Sequence, residues 1–260
     1  MALVFAGITG HSSALLPGLA TSHLPILQPA LNYKTHILKE LNNSHPESVI
    51  ILSPHGPLSS LGPTLNIQKE FKVDFSNFGD LATKFEVKGD SLLADDLLKA
   101  SFPEFKLQAC SQTLDYASAI PLVTLIGQLN FSVLPTYPCL TDNLTEHYNF
   151  GCWLGNYIRQ SHQAIAVISS VALSHRLTRG SPGGFSHSGK WFDKQVINAL
   201  KQNDWEILNA INPEVVADVQ ECGLYNIVIM MGIMSNFEDK FKLLGYEQPV
   251  GVGWLYGIYQ

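Results

Sequence analysis

Short apolar runs alternate with helical repeats along the chain. Val49 to Leu52 and Ala164 to Ser170 are mostly apolar and bounded by turn formers, which is typical of strands buried in a parallel sheet. Leu3 to Ile8 has the same character. Between the first two of these strands in chain order, apolar residues from Asn32 to Leu41 recur at helical spacing. This order of strand, helix and strand predicts an α/β fold with right-handed crossovers.

The rest of the chain continues the alternation. Phe131 to Tyr137 and Pro249 to Tyr259 have strand composition. Helices are predicted at Asp90 to Ser101, from Leu114, at Thr145 to Gln160, at Lys190 to Lys201 and from Glu206, and a last helix is predicted to begin near Gln220 to Leu224, with its apolar part from Ile227 to Met234. The alternating segments Phe71 to Phe75 and Lys84 to Val87 predict a small β excursion rather than a second domain. With no repeat or linker, residues 1–260 are expected to form a single layered domain with a central, mostly parallel sheet flanked by helices.

Composition narrows the class of protein. Of the 260 residues 46% are hydrophobic and only 15% are charged, which excludes a disordered chain. The net charge is −6 and no long basic run exists, so a nucleic-acid partner is not expected. No apolar run is long enough to cross a membrane, the start lacks a basic leader, and the four cysteines show no CxxC spacing. We therefore expect a cytoplasmic protein without a membrane partner and with reduced thiols.

Three of the nine histidines follow predicted strands. His11, His55 and His175 come after the strands at Leu3, Val49 and Ala164, and parallel strands bring such loops to one edge of the sheet, where α/β proteins bind ligands. The remaining histidines are interpreted as solvent-facing or structural (His36, His45, His147, His162) or stay open because they lie in loops (His23, His187). The pattern predicts that His11 and His55 meet.

His55 is held between turn formers in Ser53-Pro54-His55-Gly56-Pro57. The prolines fix φ and the glycine permits close approach of the backbone, so the imidazole is expected to be rigid, as a metal ligand needs to be. The alternative is a histidine that ends a strand and hydrogen-bonds in a turn, and this segment alone leaves both interpretations open.

Two imidazoles with one carboxylate form the facial triad that suits Fe(II) in oxygen-using enzymes. Glu221 is the candidate carboxylate because it stands before an apolar helix with few other charges nearby. Its alternative role, a glutamate favoured by the dipole at a helix N-terminus, is the simpler one on spacing alone. A third histidine outside the ligand set would be free to transfer protons.

Five motifs, in order along the chain, resemble the LigB-type family of class III extradiol dioxygenase catalytic subunits. The resemblance is strongest to the dioxygenase-like domain of AmmeMemoRadiSam system proteins, with the Memo family more distant. The motifs are Gly10-His11-Ser12-Ser13-Ala14-Leu15-Leu16-Pro17, Ile50 to Pro57, Ile168 to Leu177, Glu221-Cys222-Gly223-Leu224 and Gly251-Val252-Gly253.

The resemblance implies an oxidoreductase that cleaves a small aromatic diol with O2. It implies His11 and His55 as ligands of Fe(II), with another divalent metal such as Zn as an alternative, and Glu221 as the third ligand. In the Memo branch a cysteine precedes the corresponding glycine, which would select Cys222 instead; we favour Glu221 because it keeps a hard ligand for Fe(II). His175 matches the general base, and Tyr116 is expected to hydrogen-bond substrate or superoxide.

Three departures from the family pattern keep a second hypothesis open. Gly10-His11-Ser12-Ser13 replaces proline-histidine-proline-proline, Tyr116 stands after Asp115 where histidine is common, and Val171-Ala172 replaces a glycine-aspartate pair. These changes favour a metal-binding protein that is not a dioxygenase and that acts with partners, as a homodimer or with proteins of the AmmeMemoRadiSam type.

Overall fold

The computed structural model describes residues 2–20, 24–100, 102, 104 and 106–260. The strands in these residues are β1 (Leu3–Gly10), β2 (Ser48–Leu52), β3 (Thr64–Asn66), β4 (Glu70–Phe75), β5 (Asp80–Lys88), β6 (Gln108–Cys110), β7 (Ser132–Tyr137), β8 (Ile165–Val171), β9 (Phe241–Glu247) and β10 (Trp254–Tyr259). The helices are α1 (Pro17–Ala20), α2 (Leu24–Asn43), α3 (Ser91–Lys99), α4 (Tyr116–Leu122), α5 (Leu144–Gln160), α6 (Gly189–Gln202), α7 (Glu206–Asn209), α8 (Pro213–Val219) and α9 (Leu224–Met234).

Eight strands form the central sheet in the order β6-β3-β7-β2-β8-β1-β10-β9. The centre is parallel, since β7, β2, β8 and β1 run in one direction. Beyond β1, β10 pairs antiparallel with β1, and β9 pairs antiparallel with β10. The predicted α/β fold, a single layered domain with a mostly parallel sheet flanked by helices, is confirmed. The expected β excursion is also confirmed, because β4 and β5 pair in a separate two-stranded sheet.

Both faces of the sheet are covered, which explains the nearly continuous apolar runs. Along β2, Ile50 and Leu52 join a core that contains residues of α5 and α9, whereas Val49 and Ile51 join a core that contains residues of α2 and α4. Side chains alternate between faces along a strand, so a strand between two helical layers needs apolar residues at every position. Helix α9 is almost wholly buried, as expected for a core helix.

Several boundaries differ from the sequence-based expectations. Helix α2 begins at Leu24 rather than Asn32 and contains Pro29, a residue that usually interrupts a helix. Strands β3 and β6 have three residues each, too few to show an alternation of apolar and polar positions, and the sequence did not predict them. Strand β9 was also not predicted. The expected end of α3 at Ser101 lies outside the described residues. Of the cysteines, Cys139 is buried, whereas Cys110, Cys152 and Cys222 are only partly buried.

None of the helices in the described part of the chain combines the length and the apolar character that crossing a lipid bilayer requires.

Candidate metal centre

The candidate site lies at the carboxyl ends of three adjacent strands. His11 follows β1 directly and His55 comes shortly after β2, while β8 lies between these two strands. The ends of β1 and β8 are in register, with Thr9 opposite Ser170. The parallel centre of the sheet therefore delivers both histidine loops to one edge.

His11, His55 and Cys222 form the one group of possible metal ligands of this kind among the residues that the structure describes. One ligand atom from each lies within 4.8 Å of the others. The Cys222 Sγ is 3.4 Å from His11 Nε2, and the two imidazole rings meet edge to face with centroids 5.1 Å apart. Small side-chain adjustments would bring all three donors to a common ion.

Backbone pairing places the Cys222 thiol at this edge. The Cys222 N–H donates to the Ala172 carbonyl at 3.0 Å, and the Ala172 N–H donates to the Cys222 carbonyl at 3.4 Å, just beyond the end of β8. Gly223 allows this approach, since a Cβ there would lie 2.6 Å from the Cβ of Val171. The cysteine is thus fixed against the central strand of the site.

Glu221 is directed elsewhere. Its Oε2 accepts hydrogen bonds from the N–H groups of Gly223 at 2.5 Å and Leu224 at 2.6 Å, so the carboxylate caps the start of α9. It lines a different cavity, together with Asp142 and Tyr225. Burial raises the pKa of Glu221 to about 6, against the opposing effect of these hydrogen bonds. The geometry favours the alternative ligand, Cys222, over the glutamate that we preferred from the sequence.

Ser170 fixes the orientation of the His11 ring. The Ser170 hydroxyl donates its proton to the Ala117 carbonyl at 2.6 Å, and its oxygen lies 3.1 Å from His11 Nδ1. Because that proton is already used, the serine oxygen accepts from Nδ1–H. The lone pair of Nε2 then faces Cys222, which is the tautomer that a metal ligand needs.

The His55 loop is held from two sides. Asp115 caps α4 and accepts a hydrogen bond from the Ser53 hydroxyl at 2.6 Å, and the Ser53 oxygen lies 3.4 Å from the backbone nitrogen of His55. On the other side Gly56 lies against the Tyr137 ring, where an added Cβ would come within 2.0 Å of a ring carbon. The expected close approach at Gly56 is therefore present.

His175 and Tyr116 complete the surroundings. The His175 Nε2 is 3.8 Å from Cys222 Sγ, and its Nδ1 bonds the carbonyl of Gln220. A carbonyl only accepts, so the proton is on Nδ1 and Nε2 is free to accept another. The Tyr116 ring stacks on His55 with centroids 4.7 Å apart and meets Phe78 at 5.2 Å.

These groups line one cavity of about 330 Å³. Its wall combines His11, His55, Cys222, His175 and Tyr116 with Ser12, Ser13, Phe78, Ala172, Pro182, Val250, Val252 and Trp254. This volume is at the lower end of the range for small-molecule pockets. The cavity is therefore matched to a small ligand with an apolar or aromatic body.

Electrostatics keep the two imidazoles in the neutral form that binds metals, and keep the thiol protonated until a metal arrives. Burial, with a smaller contribution from His55 and His175, holds the pKa of His11 well below its usual value, and burial also lowers the pKa of His55. Both imidazoles are therefore neutral at neutral pH. Burial and the Glu221 charge raise the pKa of Cys222 to about 12, and burial raises that of Tyr116. The thiol holds its proton until a cation replaces it.

The donor set fits a metal ion, but not the triad expected from the sequence. Two neutral imidazoles and a half-buried thiol are nitrogen and sulfur ligands of the kind that bind Zn²⁺, and imidazole also suits iron. A carboxylate facial triad would need Glu221 in place of Cys222. The fit is thus to a divalent metal bound by nitrogen and sulfur.

Sequence reasoning missed the groups that orient the ligands. Ser170 and Ser53 are polar residues at the ends of otherwise apolar strands, and that position was the sequence feature that could have identified them. Phe78 and Trp254 gave no signal because they are distant in sequence from every motif that carries a ligand. Of the histidines left open, His187 contacts the Phe185 ring and is not in the group, and His23 lies outside the described residues.

The fold and the site together define the class: an α/β protein with a candidate metal centre at the carboxyl ends of its parallel strands. The family described as catalytic LigB subunit of aromatic ring-opening dioxygenase matches residues 6–257. The chain belongs to this family. The match covers the segments that carry His11, His55, His175 and Cys222.

Two relatives add to the comparison. Protein CA_C1420 of Clostridium acetobutylicum is 26% identical over 235 residues, which are 85% of this chain and 49% of that protein. The chain thus spans about half the length of the curated relative. The crystal structure of the uncharacterized protein JW3007 from Escherichia coli K12 matches with a TM-score of 0.67 at 11% identity, over 98% of this chain and 99% of the other. At that identity the likeness shows the fold alone.

Proposed function

We propose that this protein binds one divalent metal ion through His11, His55 and Cys222 and uses it on a small aromatic diol in a ring-opening reaction of the extradiol dioxygenase type. The observation that carries the proposal is the convergence of the three ligand atoms within 4.8 Å beside an aromatic-walled cavity. Membership of the LigB family supports the reaction class.

Fe(II) is the proposed working metal, with Zn²⁺ as the alternative. A bound metal would supply positive charge to the substrate oxygens and, if it is iron, electron transfer to dioxygen. The protein's own part is to exclude water and orient the ring, and the walls formed by Tyr116, Phe78 and Trp254 suit that task.

His175 is the proposed proton-transfer group. His175 lines the cavity and its Nε2, which lies 3.8 Å from Cys222 Sγ, carries a lone pair, so it can accept a proton from a substrate hydroxyl and return it to the product. Tyr116 keeps its own proton because burial raises its pKa, so its hydroxyl is a hydrogen-bond donor to an oxygen of the substrate or to dioxygen.

The metal site is tested before turnover. Protein purified without oxygen is equilibrated with Fe(II) or Zn²⁺, and metal content is compared with that of Cys222→Ala, His55→Ala and Glu221→Gln. We expect one metal per chain, a loss of binding of tenfold or more in the first two variants, and retained binding in Glu221→Gln. Loss in Glu221→Gln with retention in Cys222→Ala would instead restore the carboxylate triad. In Co(II)-substituted protein, a thiolate-to-metal absorption band that disappears in Cys222→Ala identifies the sulfur ligand directly.

Turnover is tested by oxygen uptake of the Fe(II)-loaded protein with a panel of catechols. We expect uptake on at least one diol and a fall in rate of about 100-fold or more in His175→Ala, as for loss of a general base. Metal binding without uptake on any diol would refute the ring-opening reaction and leave the metal site intact.

A second candidate function is supported by the thiol. Cys222 in place of a carboxylate gives a softer ligand set than the facial triad of oxygen-using iron enzymes. This favours a metal-binding protein that acts with partners, as the resemblance to AmmeMemoRadiSam and Memo proteins suggests, or as a homodimer. Tight Zn²⁺ binding with no oxygen uptake, and an increase in mass on size-exclusion chromatography when a partner is added, would support it.

A further inference from the structure

Lys34 is a buried cation that the metal centre does not use. It lies on α2 and its side chain is 1% exposed. Among the residues that the structure describes, no carboxylate or other acceptor bonds its amine, and the pKa of Lys34 falls to about 7 through burial alone. Lysine is almost never fully buried without a partner.

Lys34 lines a cavity of about 400 Å³. The cavity lies between α2, the segment after His11 and the 3-10 turn at Val123–Leu125, and its other lining residues are Leu15, Pro17, Ala20, Leu31, Val123 and Thr124. Pro17 and Thr124 are exposed whereas Lys34 is buried, so the cavity opens beside the first two and has the amine in its wall. None of the proposed metal ligands lines it.

We propose that this cavity is a binding site for a small monocarboxylate with an apolar body. Among the described residues, the side chains of the lining offer one amine, one hydroxyl at the mouth and otherwise apolar carbon, which matches one carboxylate attached to a hydrocarbon. A phosphate or dicarboxylate would bring more charge than a single amine can neutralise, and a neutral apolar molecule would leave the amine without a partner. The volume is within the range of small-molecule pockets.

The bound carboxylate restores the charged form of Lys34. An opposite charge within a few ångström favours the ammonium, so binding above pH 7 takes up a proton. No charged group among the described residues contributes to the pKa of Lys34, so this uptake reports on the ligand.

The test is isothermal titration of the full chain with octanoate, using 1-octanol and octylamine as neutral and cationic analogues of equal length. We compare wild type, Lys34→Met and Lys39→Met, the last being an exposed lysine on the same helix. We expect octanoate to bind wild type and Lys39→Met equally and Lys34→Met at least tenfold more weakly. We expect 1-octanol to bind weakly and independently of Lys34, and octylamine not to bind.

Proton uptake separates ion pairing from hydrophobic adsorption. Titration at pH 8 in buffers of different ionisation enthalpy should show uptake with wild type and none with Lys34→Met. Equal binding of octanoate by wild type and Lys34→Met, uptake without dependence on Lys34, or failure of octanoate to bind wild type would each overturn the proposal. Unchanged metal content in Lys34→Met shows that the two sites are separate.

Discussion

Replacing Lys34 by methionine should stabilise the protein, and the gain should shrink as pH rises. The pKa of this lysine falls from 10.5 to about 7 in the folded chain because its amine is buried without a partner. Between these values the unfolded chain holds a proton that the folded chain lacks, so the free energy of unfolding of the wild type rises with pH. Methionine has similar length and no charge, so the free energy of unfolding of the variant lacks the pH-dependent penalty that the buried lysine causes.

The magnitude follows from the two pKa values. Each unit of difference is worth about 1.4 kcal/mol, so the penalty at pH 7, where the folded lysine is half protonated, is about 4 kcal/mol. At pH 9 it falls to about 2 kcal/mol. The advantage of Lys34→Met over wild type should therefore decrease by about 2 kcal/mol between pH 7 and pH 9.

Urea unfolding of wild type, Lys34→Met and Lys39→Met at pH 7, 8 and 9 measures this difference. Groups that titrate in all three proteins cancel in the comparison, and Lys39→Met should follow wild type at each pH because Lys39 is exposed. A Lys34→Met variant that is less stable than wild type at pH 7, or a difference that does not change with pH, would refute the reasoning.

Three further predictions concern the metal centre. Gly56→Ala should push the His55 loop away from Tyr137, lowering stability by about 1–3 kcal/mol and weakening metal binding, as measured by urea unfolding and metal content; an unchanged metal affinity would contradict the close approach. Ser170→Ala should weaken metal binding by roughly 10-fold or more, because the hydrogen bond that orients the His11 ring is lost while the ligand residues stay the same. Ser170→Thr keeps a hydroxyl and should therefore retain more of the metal affinity than Ser170→Ala. Because burial raises the pKa of Cys222 to about 12, metal binding must displace a proton, so affinity should rise about tenfold per pH unit from pH 6 to 9 in wild type and lose this slope in Cys222→Ala.

The sheet was predictable because its central strands carry a strong signal. Strands β2 and β8 are covered on both faces, so nearly every residue is apolar and their limits could be placed within one or two residues. The three-residue strands β3 and β6 lack a period, and their position depends on pairing with each other and with β7. Such pairing is a tertiary effect that local sequence does not encode.

The site was predictable in its histidines and less so in its third ligand. His11 and His55 follow strands, and the parallel arrangement alone brings them together. Glu221 and Cys222 are neighbours, and which of them faces the edge depends on the bridge between Ala172 and Cys222 and on the capping of α9. Both are backbone contacts over long sequence separations, so residue chemistry alone could not decide between a carboxylate and a thiol.

The contact between His11 and Cys222 joins residues 211 positions apart. Closing so long a loop has a high entropic cost, and contacts of this separation tend to form slowly. The two side chains can meet only once β1, β8 and the start of α9 have docked, so an incompletely folded chain has no assembled ion site. A metal that binds only the native state would stabilise it by mass action, which makes metal occupancy a readout of complete folding.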